Sequence, residues 1–374
     1  MASSPTRLLV LGAGRHQKRL IQRAEQRGFE VVVSDFYPDS PGKAFASHPT
    51  MTDTTDIAAN VELGRRFGVA GVITTGTDQP LVTMAEVAHA LGLPCTLTPE
   101  AARRATDKRD MRRAYAAAGV PQPAYAEVAG ADEAVRAAAR LAPPLVIKPA
   151  DSQGQRGISR VDAAGDVRAA AERAIVASRA SALLVEQFFG GLELTVSAWA
   201  HAGEPQLLLV ADRVTYNPLP TIGICFQHVT PSRRAAGLLD RLHDVTRGVM
   251  RAVGVQNGPL YIQMLVKDGE VLVVEGACRV GGGHEASLIP LISGVDLTDR
   301  LIDLAVTGAC EPVAARPSRR DAAVTFLFGR AGVIAAQHGL AETVARGLVV
   351  EGEWYKRPGD RTSGMVDGQT KPGG

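Results

Sequence analysis

Phosphate chemistry needs fixed positive charge and backbone N–H groups that approach an oxyanion without a side chain in the way. Residues 145–157, Leu-Val-Ile-Lys-Pro-Ala-Asp-Ser-Gln-Gly-Gln-Arg-Gly, offer both. The apolar run Leu145–Ile147 reads as a buried strand that delivers Lys148, and the loop after it carries Gly154 and Gly157, whose bare backbone can close over phosphate oxygens. A lysine followed by a glycine flap points to a triphosphate. The pattern is not a P-loop, because Lys148 precedes the glycines and no Gly-Lys-Ser/Thr follows them. A companion stretch, Val273–Gly283, lies about 120 residues further on.

An earlier glycine turn, Gly12-Ala-Gly14, ends the apolar run Arg7–Leu11 and precedes an amphipathic stretch up to Arg27. The run Val31–Ser34, ending in Asp35, reads as the next strand, which makes a βαβ opening of the doubly wound kind. Gln17 stands where a dinucleotide fingerprint has its third glycine, so a structural turn or part of a substrate site is expected there.

The elements that must position these residues follow from periodicity. A helix near Ile57–Phe67, a strand at Gly71–Thr74, the turn Gly76-Thr-Asp78 and a helix to Leu91 extend the opening into an α/β unit with mostly parallel strands. One helix over Pro99–Ala118 carries Lys108, and Gly119, Pro121 and Pro123 end it. A small α+β segment runs to Glu186: a strand near Tyr125, a helix at Asp132–Leu141, the Lys148 strand, a helix at Asp166–Ser178 and the strand Leu183–Gln187. Antiparallel runs at Glu193–Trp199 and Gln206–Val210, a helix at Arg233–Val253, strands at Leu260–Val266 and Val271–Glu275, and a helix at Leu297–Val306 complete the body. Ala322–Phe328 reads as a strand, and Arg357–Gly374 as a turn-rich end that frays.

Length and composition bound the answer. The 374 residues suit two or three domains, and 45% hydrophobic against 21% charged residues is an ordinary globular balance. Lys plus Arg (41) minus Asp plus Glu (39) gives +2, which excludes a strong global field for nucleic acid or an anionic membrane. Cys95, Cys225, Cys278 and Cys310 show neither zinc spacing nor a short disulfide framework, so a reducing cytoplasm is expected. No basic segment followed by a long apolar region opens the chain and no run approaches eighteen apolar residues, so neither a signal peptide nor a membrane span is expected.

Taken in order, the α/β opening, Lys108, Lys148 before its glycine loop, Glu186-Gln-Phe-Phe-Gly-Gly-Leu-Glu193, and Glu275-Gly-Ala-Cys-Arg279 before Gly281-Gly-Gly283 resemble the ATP-grasp superfamily of carboxylate-amine ligases over about residues 7–312. The Glu-x-x-x-Arg-x-Gly-Gly form is similar to the amino-acid ligase and carbamoyl-phosphate-synthetase-like branches. The resemblance implies an ATP-grasp fold, mixed α/β and α+β, with an N-terminal Rossmann-like domain at 1–98. The core would span 99–312, with a lid lobe at about 120–186, and 313–374 would complete it with a disordered tail. It implies that ATP lies between two lobes, with Lys108 and Lys148 on its α and β phosphates and Gly154, Gln155 and Gly157 in a mobile flap. Glu186 would face the adenine amine, backbone groups of Gln187 and Phe189 would read the adenine edge, and Glu193 would accept the ribose hydroxyls. Glu275 would hold magnesium, which manganese can replace, and Arg279 would neutralise the transferring phosphoryl group or the substrate carboxylate.

Two positions depart from that pattern: Gln263 stands where a second acidic metal ligand is usual, and Ala277 where asparagine is common. The implied reaction phosphorylates a carboxylate, and an amine then attacks the acyl phosphate to give an amide, ADP and phosphate. No side-chain nucleophile is required, so Cys278 is expected to be a small buried residue. His228 and His284 bracket the expected acceptor region, and Arg213 and Tyr216 are candidates for selecting the carboxylate. The alternatives are a bicarbonate-phosphorylating enzyme and a non-catalytic ATP-binding sensor. A small carboxylate and an amine are the expected substrates, and a second copy of the chain is expected to cover surface that the short ending leaves.

Overall fold

In this computed structural model, which describes residues 5–178, 182–316, 321–365, 370–371 and 373–374, the chain forms two units. The first comprises Met1–Gln122, Leu194–Ala211 and Thr230–Ala322, and the second Pro123–Glu193, Asp212–Val229 and Ala323–Gly374. The chain passes between them after residues 122, 193, 211, 229 and 322.

Its elements begin with β1 (Arg7–Leu11), α1 (Arg15–Gln26), β2 (Glu30–Ser34), β3 (His48–Thr50), α2 (Ile57–Phe67), β4 (Gly71–Ile73), α3 (Leu81–Leu91), α4 (Pro99–Thr106) and α5 (Lys108–Ala117). There follow β5 (Tyr125–Val128), α6 (Ala131–Leu141), β6 (Leu145–Pro149), β7 (Ser159–Val161), α7 (Val167–Ala177) and β8 (Leu183–Gln187). Next come β9 (Leu192–His201), β10 (Glu204–Tyr216), β11 (Ile224–Thr230), α8 (Leu239–Val253), β12 (Gly258–Lys267), β13 (Glu270–Ala277), α9 (Glu285–Ser293) and α10 (Leu297–Thr307). Last are β14 (Ala322–Thr325), β15 (Ala331–Val333), α11 (Leu340–Ala345) and β16 (Arg361–Ser363).

In the first unit an all-parallel sheet of order β3-β2-β1-β4 forms because β1 and β2 are apolar on both faces. Leu9, Leu11, Val32 and Val72 pack against α2 and α3. The opposite side receives α1 and α10, and Gly71 of β4 approaches α10 so closely that a Cβ would strike the carbonyl of Ala305. Arg19 and Arg23 of α1 and Arg27 just after it pair with Asp296, the residue that caps α10, and with Asp299 and Asp303 within it. A boundary at residue 98 therefore differs from the observed division, since α10 supplies a layer that the opening sheet needs. The same unit holds the strand order β13-β12-β9-β10, with β12 and β13 antiparallel.

The single helix expected over Pro99–Ala118 is two. Asp107 interrupts it with extended backbone, and its carboxylate accepts from the N–H groups of Arg109 (2.8 Å) and Asp110 (3.4 Å), so it caps α5. Lys108 thus opens a helix rather than sitting within one. The helix expected from Arg233 starts only at Leu239, after a turn in which Ser232 Oγ accepts from the Ala235 N–H at 3.1 Å.

The second unit contains an antiparallel sheet of order β5-β8-β6-β7. Leu145, Ile147, Leu183 and Val185 alternate onto the face covered by the alanine-rich α6 and α7, forming a core of their own. Here β10 ends in an antiparallel pairing with β11, and β14 lies beside β11. The frayed ending expected from the sequence differs from the described residues of the tail. β16 pairs with β15, Leu327 N–H donates to the Gly373 carbonyl at 2.8 Å, and Glu353 and Gly374 exchange bonds of 2.8 and 3.1 Å. Residues 366–369 and 372 of that segment lie outside the described residues. Among the described residues no helix is long and apolar enough to cross a membrane.

Candidate active site

The residues singled out from the sequence fall on both units, and each unit gathers its own. In the first, β12 and β13 place Gln263 directly opposite Glu275, next to a bulge between Gln263 and Met264. The Lys108 ammonium, at the start of α5, stands 4.0 Å from Glu275 Oε2, with Lys108 buried and Glu275 partly exposed. Gln263 and Glu275 offer hard oxygen donors side by side, with one negative charge between them. Magnesium takes one or two carboxylates and completes its shell with substrate phosphates and water, so this donor set fits it when phosphate oxygens supply the rest.

The helix α5 also holds the strand that carries Glu275. Lys108, Met111, Arg112 and Tyr115 are its buried residues, a spacing of i, i+3, i+4 and i+7 on one face. Arg112 donates to the carbonyls of Val273 and Val274, both at 2.9 Å. Tyr115 lies beneath Gly276, where a Cβ would come within 2.5 Å of its hydroxyl, so glycine is required for that contact. Burial pushes the Tyr115 phenol up, which keeps it neutral.

Arg279 follows the end of β13, and its guanidinium forks onto Asp78, Nε to Oδ1 at 2.6 Å and Nη2 to Oδ2 at 2.9 Å. The exposure of the two side chains is 9% and 7%. Its plane lies near the Tyr261 ring, 5.1 Å from the centroid. Burial works against the charge of Arg279, but the Asp78 carboxylate outweighs it and holds the guanidinium above its usual value. Burial, with Asp78 adding to it, pushes the neighbouring Cys278 thiol up to about 12. Cys278 is therefore protonated at neutral pH, as a non-nucleophilic role requires.

Beyond Arg279, the Gly281–Gly283 turn is fixed by Glu285, whose buried carboxylate accepts from the Gly283 N–H at 2.5 Å. His284 adopts positive φ (65°) at the start of α9. The Gly12–Gly14 turn is filled rather than open. Gln17 folds over it and donates to the Thr75 carbonyl at 2.5 Å. Asp35 is spent on the Ala13 N–H (2.7 Å), the Tyr37 N–H (2.8 Å) and Ser40 Oγ (2.9 Å), which leaves it unsuited to a dinucleotide ribose.

In the second unit, Lys148 and Glu186 lie diagonally across β6 and β8, since Lys148 is opposite Leu184 and Glu186 opposite Val146. Their side chains, each 5% exposed, form an ion pair of 2.8 Å on the sheet face away from α6 and α7. The loop after Lys148 places Gly154, Gln155 and Gly157 at φ of 67°, 62° and 72°. A Cβ on Gly157 would lie 2.6 Å from that of Ala177, so this glycine is demanded by packing against α7 as well as by φ. At the end of β8 the Gln187 N–H donates to the Ala124 carbonyl and the Phe188 N–H to the Pro144 carbonyl. Glu193 accepts from Arg213 Nε at 2.5 Å, and Arg213 Nη2 also donates to the Gly223 carbonyl at 3.1 Å. Arg213 is thus engaged with Glu193, while Tyr216 is half exposed at the end of β10. A bulge in β11 turns His228 and Cys225 to the same side, Nε2 to Sγ 3.3 Å.

Asp78, Asp107 and Arg112 were not among the residues singled out. Asp107 and Arg112 left signals, a cap residue and the buried spacing of α5. Asp78 left none, since nothing in the sequence links it to a partner 201 positions away. A cavity of about 380 Å³ in the first unit, lined by Pro94, Thr96, Gln256 and Asn257 among others, includes none of the expected site residues and no charged side chain to orient an anion.

Residues 141–287 match the ATP-grasp domain family. The uncharacterized protein y4rH of Sinorhizobium fredii is 27% identical over 317 residues, 82% of this chain, and the aligned part spans 64% of that protein's length. A formate-dependent phosphoribosylglycinamide formyltransferase of Burkholderia pseudomallei is 29% identical over 332 residues, 85% of this chain and 79% of that protein. The crystal structure of an L-amino acid ligase from Bacillus licheniformis superposes with a TM-score of 0.80 at 20% identity, covering 100% of this chain and 93% of that one. The match over residues 141–287 and this superposition give the chain the ATP-grasp fold over almost its whole length.

Proposed function

We propose that this protein is an ATP-dependent ligase that joins a small carboxylate, an amino acid or similar molecule, to an amine through an acyl phosphate. The observation that carries this reading is the grouping of Lys108, Gln263 and Glu275 on one helix start and one strand pair, with buried Arg279 four residues after Glu275. Oxygen donors for a cation beside cationic side chains suit a triphosphate that gives up its terminal group. In this reading Lys108 and Lys148 contact the α and β phosphates, and the Gly154–Gly157 loop covers them. Glu186 faces the adenine amine, Gln187 and Phe189 offer backbone groups to its edge, and Glu193 accepts the ribose hydroxyls. For Gln187 the carbonyl is the group available, because its N–H is bonded to Ala124.

Glu275 and Gln263 would hold magnesium, which would supply charge neutralisation for the triphosphate. Arg279 steadies charge on the transferred group. The carboxylate oxygen attacks the γ-phosphorus and ADP leaves. The amine nitrogen then attacks the acyl carbon, and the C–O bond to phosphate breaks. The filled Gly12–Gly14 turn argues against a phosphorylated substrate at that position, which favours a small acid.

The test is ADP release from ATP and magnesium across a pairwise panel of amino acids, with the product identified by mass. Amino-acid-dependent ADP and a product carrying a new amide support the reading. AMP and pyrophosphate would contradict it, bicarbonate dependence without any amino acid would move it to a carboxylase, and nucleotide binding without turnover would leave an ATP-binding sensor. The single carboxylate beside Gln263 is the observation that keeps the sensor in view, and Gln263→Glu should then restore turnover.

A further inference from the structure

In the second unit the loop between β10 and β11 has little packing to hold it: none of residues 217–223 is buried, and Leu219 is 61% exposed. Hydrogen bonds give it shape. Asn217 Oδ1 accepts from the Gly223 N–H at 2.7 Å and closes the neck of the loop, and the Thr221 N–H donates to the Pro218 carbonyl at 2.9 Å. Two arginines tie it to the rest of the unit. Arg213 Nη2 donates to the Gly223 carbonyl at 3.1 Å, and the main-chain N–H of Arg160 donates to the Pro220 carbonyl at 2.8 Å.

Each arginine has a second contact, and both of these fall where the nucleotide placement above puts the nucleoside. Arg213 Nε donates at 2.5 Å to Glu193, the acceptor of the ribose hydroxyls in that placement. The Arg160 guanidinium lies 4.1 Å from the ring centroid of Phe188, between the two residues that offer backbone groups to adenine. The loop also borders the flap, because Gln155 Cγ stands 3.7 Å from where a Cβ on Gly223 would be, an ordinary contact distance. Arg213 itself is only 7% exposed, with its fork divided between a carboxylate and a main-chain carbonyl. A planar guanidinium bridges two acceptors at fixed spacing, as a lysine ammonium on its flexible stem does not. Segments with few buried contacts lie at the low-stability end of a fold, so their order depends on ties of this kind.

We propose that Arg213 is a positioning residue that couples the sugar of a bound nucleotide to the flap over its phosphates. Ribose hydroxyls donating to Glu193 fix that carboxylate, and through Arg213 they order the 217–223 loop against which Gln155 rests. This rests on the nucleotide placement proposed above and gives Arg213 a different task from the acid selection expected from the sequence. The consequence is specificity for a nucleoside polyphosphate. A polyphosphate without a sugar, or a nucleotide without its ribose hydroxyls, reaches the lysines and leaves the flap loose, so binding energy from the remote sugar is used to close the site.

The experiment follows amide hydrogen exchange by mass spectrometry in the full chain with magnesium and ADP, dideoxy-ADP (which lacks both ribose hydroxyls) or tripolyphosphate, at equal occupancy set by calorimetric titration. In the wild-type protein ADP should slow exchange across residues 151–158 by about 10-fold or more, and the other two ligands by less than about 2-fold. Arg213→Lys keeps a charge beside Glu193 and gives up one of the two bonds, so ADP should then protect 151–158 by less than about 2-fold while protecting 184–190 as in the wild type. Equal flap protection by ADP and dideoxy-ADP in the wild type, or full flap protection in Arg213→Lys, would overturn the proposal. Equal loss of protection at both segments in Arg213→Lys would also overturn it, since a residue that merely holds the nucleotide site together acts on both. Asn217→Ala, at an exposed position, opens the neck of the loop without touching Glu193 and should give the same selective loss at 151–158; it decides the question if Arg213→Lys does not fold. If ADP does not bind the wild-type protein, the nucleotide placement fails and this link with it. A protein that binds ADP and orders its flap through Arg213 but forms no amide keeps the link and loses only the ligase reading.

Discussion

The buried Lys148–Glu186 pair is where stability and chemistry are easiest to confuse. Removing either partner leaves a charge in a dry sheet face, so Lys148→Met should cost about 3–5 kcal/mol by urea denaturation. The double variant Lys148→Met, Glu186→Leu should recover most of that stability, yet it should show no amino-acid-dependent ADP release. Recovery of both would mean that Lys148 is structural. The thiol beside Arg279 gives a second check. With Cys278 pushed up to about 12, iodoacetamide at pH 7.5 should leave it unmodified in the folded protein by peptide mass analysis. At this scale the sequence was informative wherever a residue's role depended on its neighbours in the chain. Lys148 with its glycines, Glu275, and Arg279 four residues later were all legible. Asp78 on Arg279, Arg213 on Glu193 and Gln17 on the Thr75 carbonyl depend on contacts between separate segments, which periodicity does not encode.

At the scale of elements, the break between α4 and α5 sets the direction of Lys108. Asp107→Ala removes the cap and should destabilise the protein by about 1 kcal/mol, with a KM for ATP that rises while the KM for the amino acid does not. The α1–α10 contact supplies a pH dependence. Hydrogen bonds from Arg23 hold the Asp299 carboxyl below its ordinary 3.8. A carboxyl depressed by folding contributes stability that is fully present above its unfolded value and is lost as pH falls through its folded one. Asp299→Asn should therefore cost about 0.5–1 kcal/mol at pH 7, as partly exposed pairs do, and less near pH 2. Urea denaturation at the two pH values checks it. Strands and helices with clear apolar runs or helical periodicity, β1, β6, β8, α2 and α6, stood where the sequence put them. The helix running from Pro99 to Ala118 did not, because one aspartate outweighed the propensity of the alanines and arginines around it.

For the molecule as a whole, the assignment of 1–98 to a separate domain differs from the observed division, because the face of the parallel sheet beside α1 is completed by α10. A fragment of residues 1–98 should accordingly lack a cooperative thermal transition by circular dichroism. A fragment of residues 121–190 contains all of β5 to β8, α6, α7 and the core between them, and should melt cooperatively although its size, about 70 residues, is near the lower limit for independent folding. A sharp transition in the first fragment and none in the second would refute this account. The interleaving of the two units also orders events during synthesis. As the chain leaves the ribosome, the 125–187 lobe is complete long before residues 297–307 have been made, so the part translated first matures last. Until α10 arrives, the nascent β1–β4 layer shows one greasy side to water or to a chaperone, which makes the early chain the more vulnerable half of its own biogenesis.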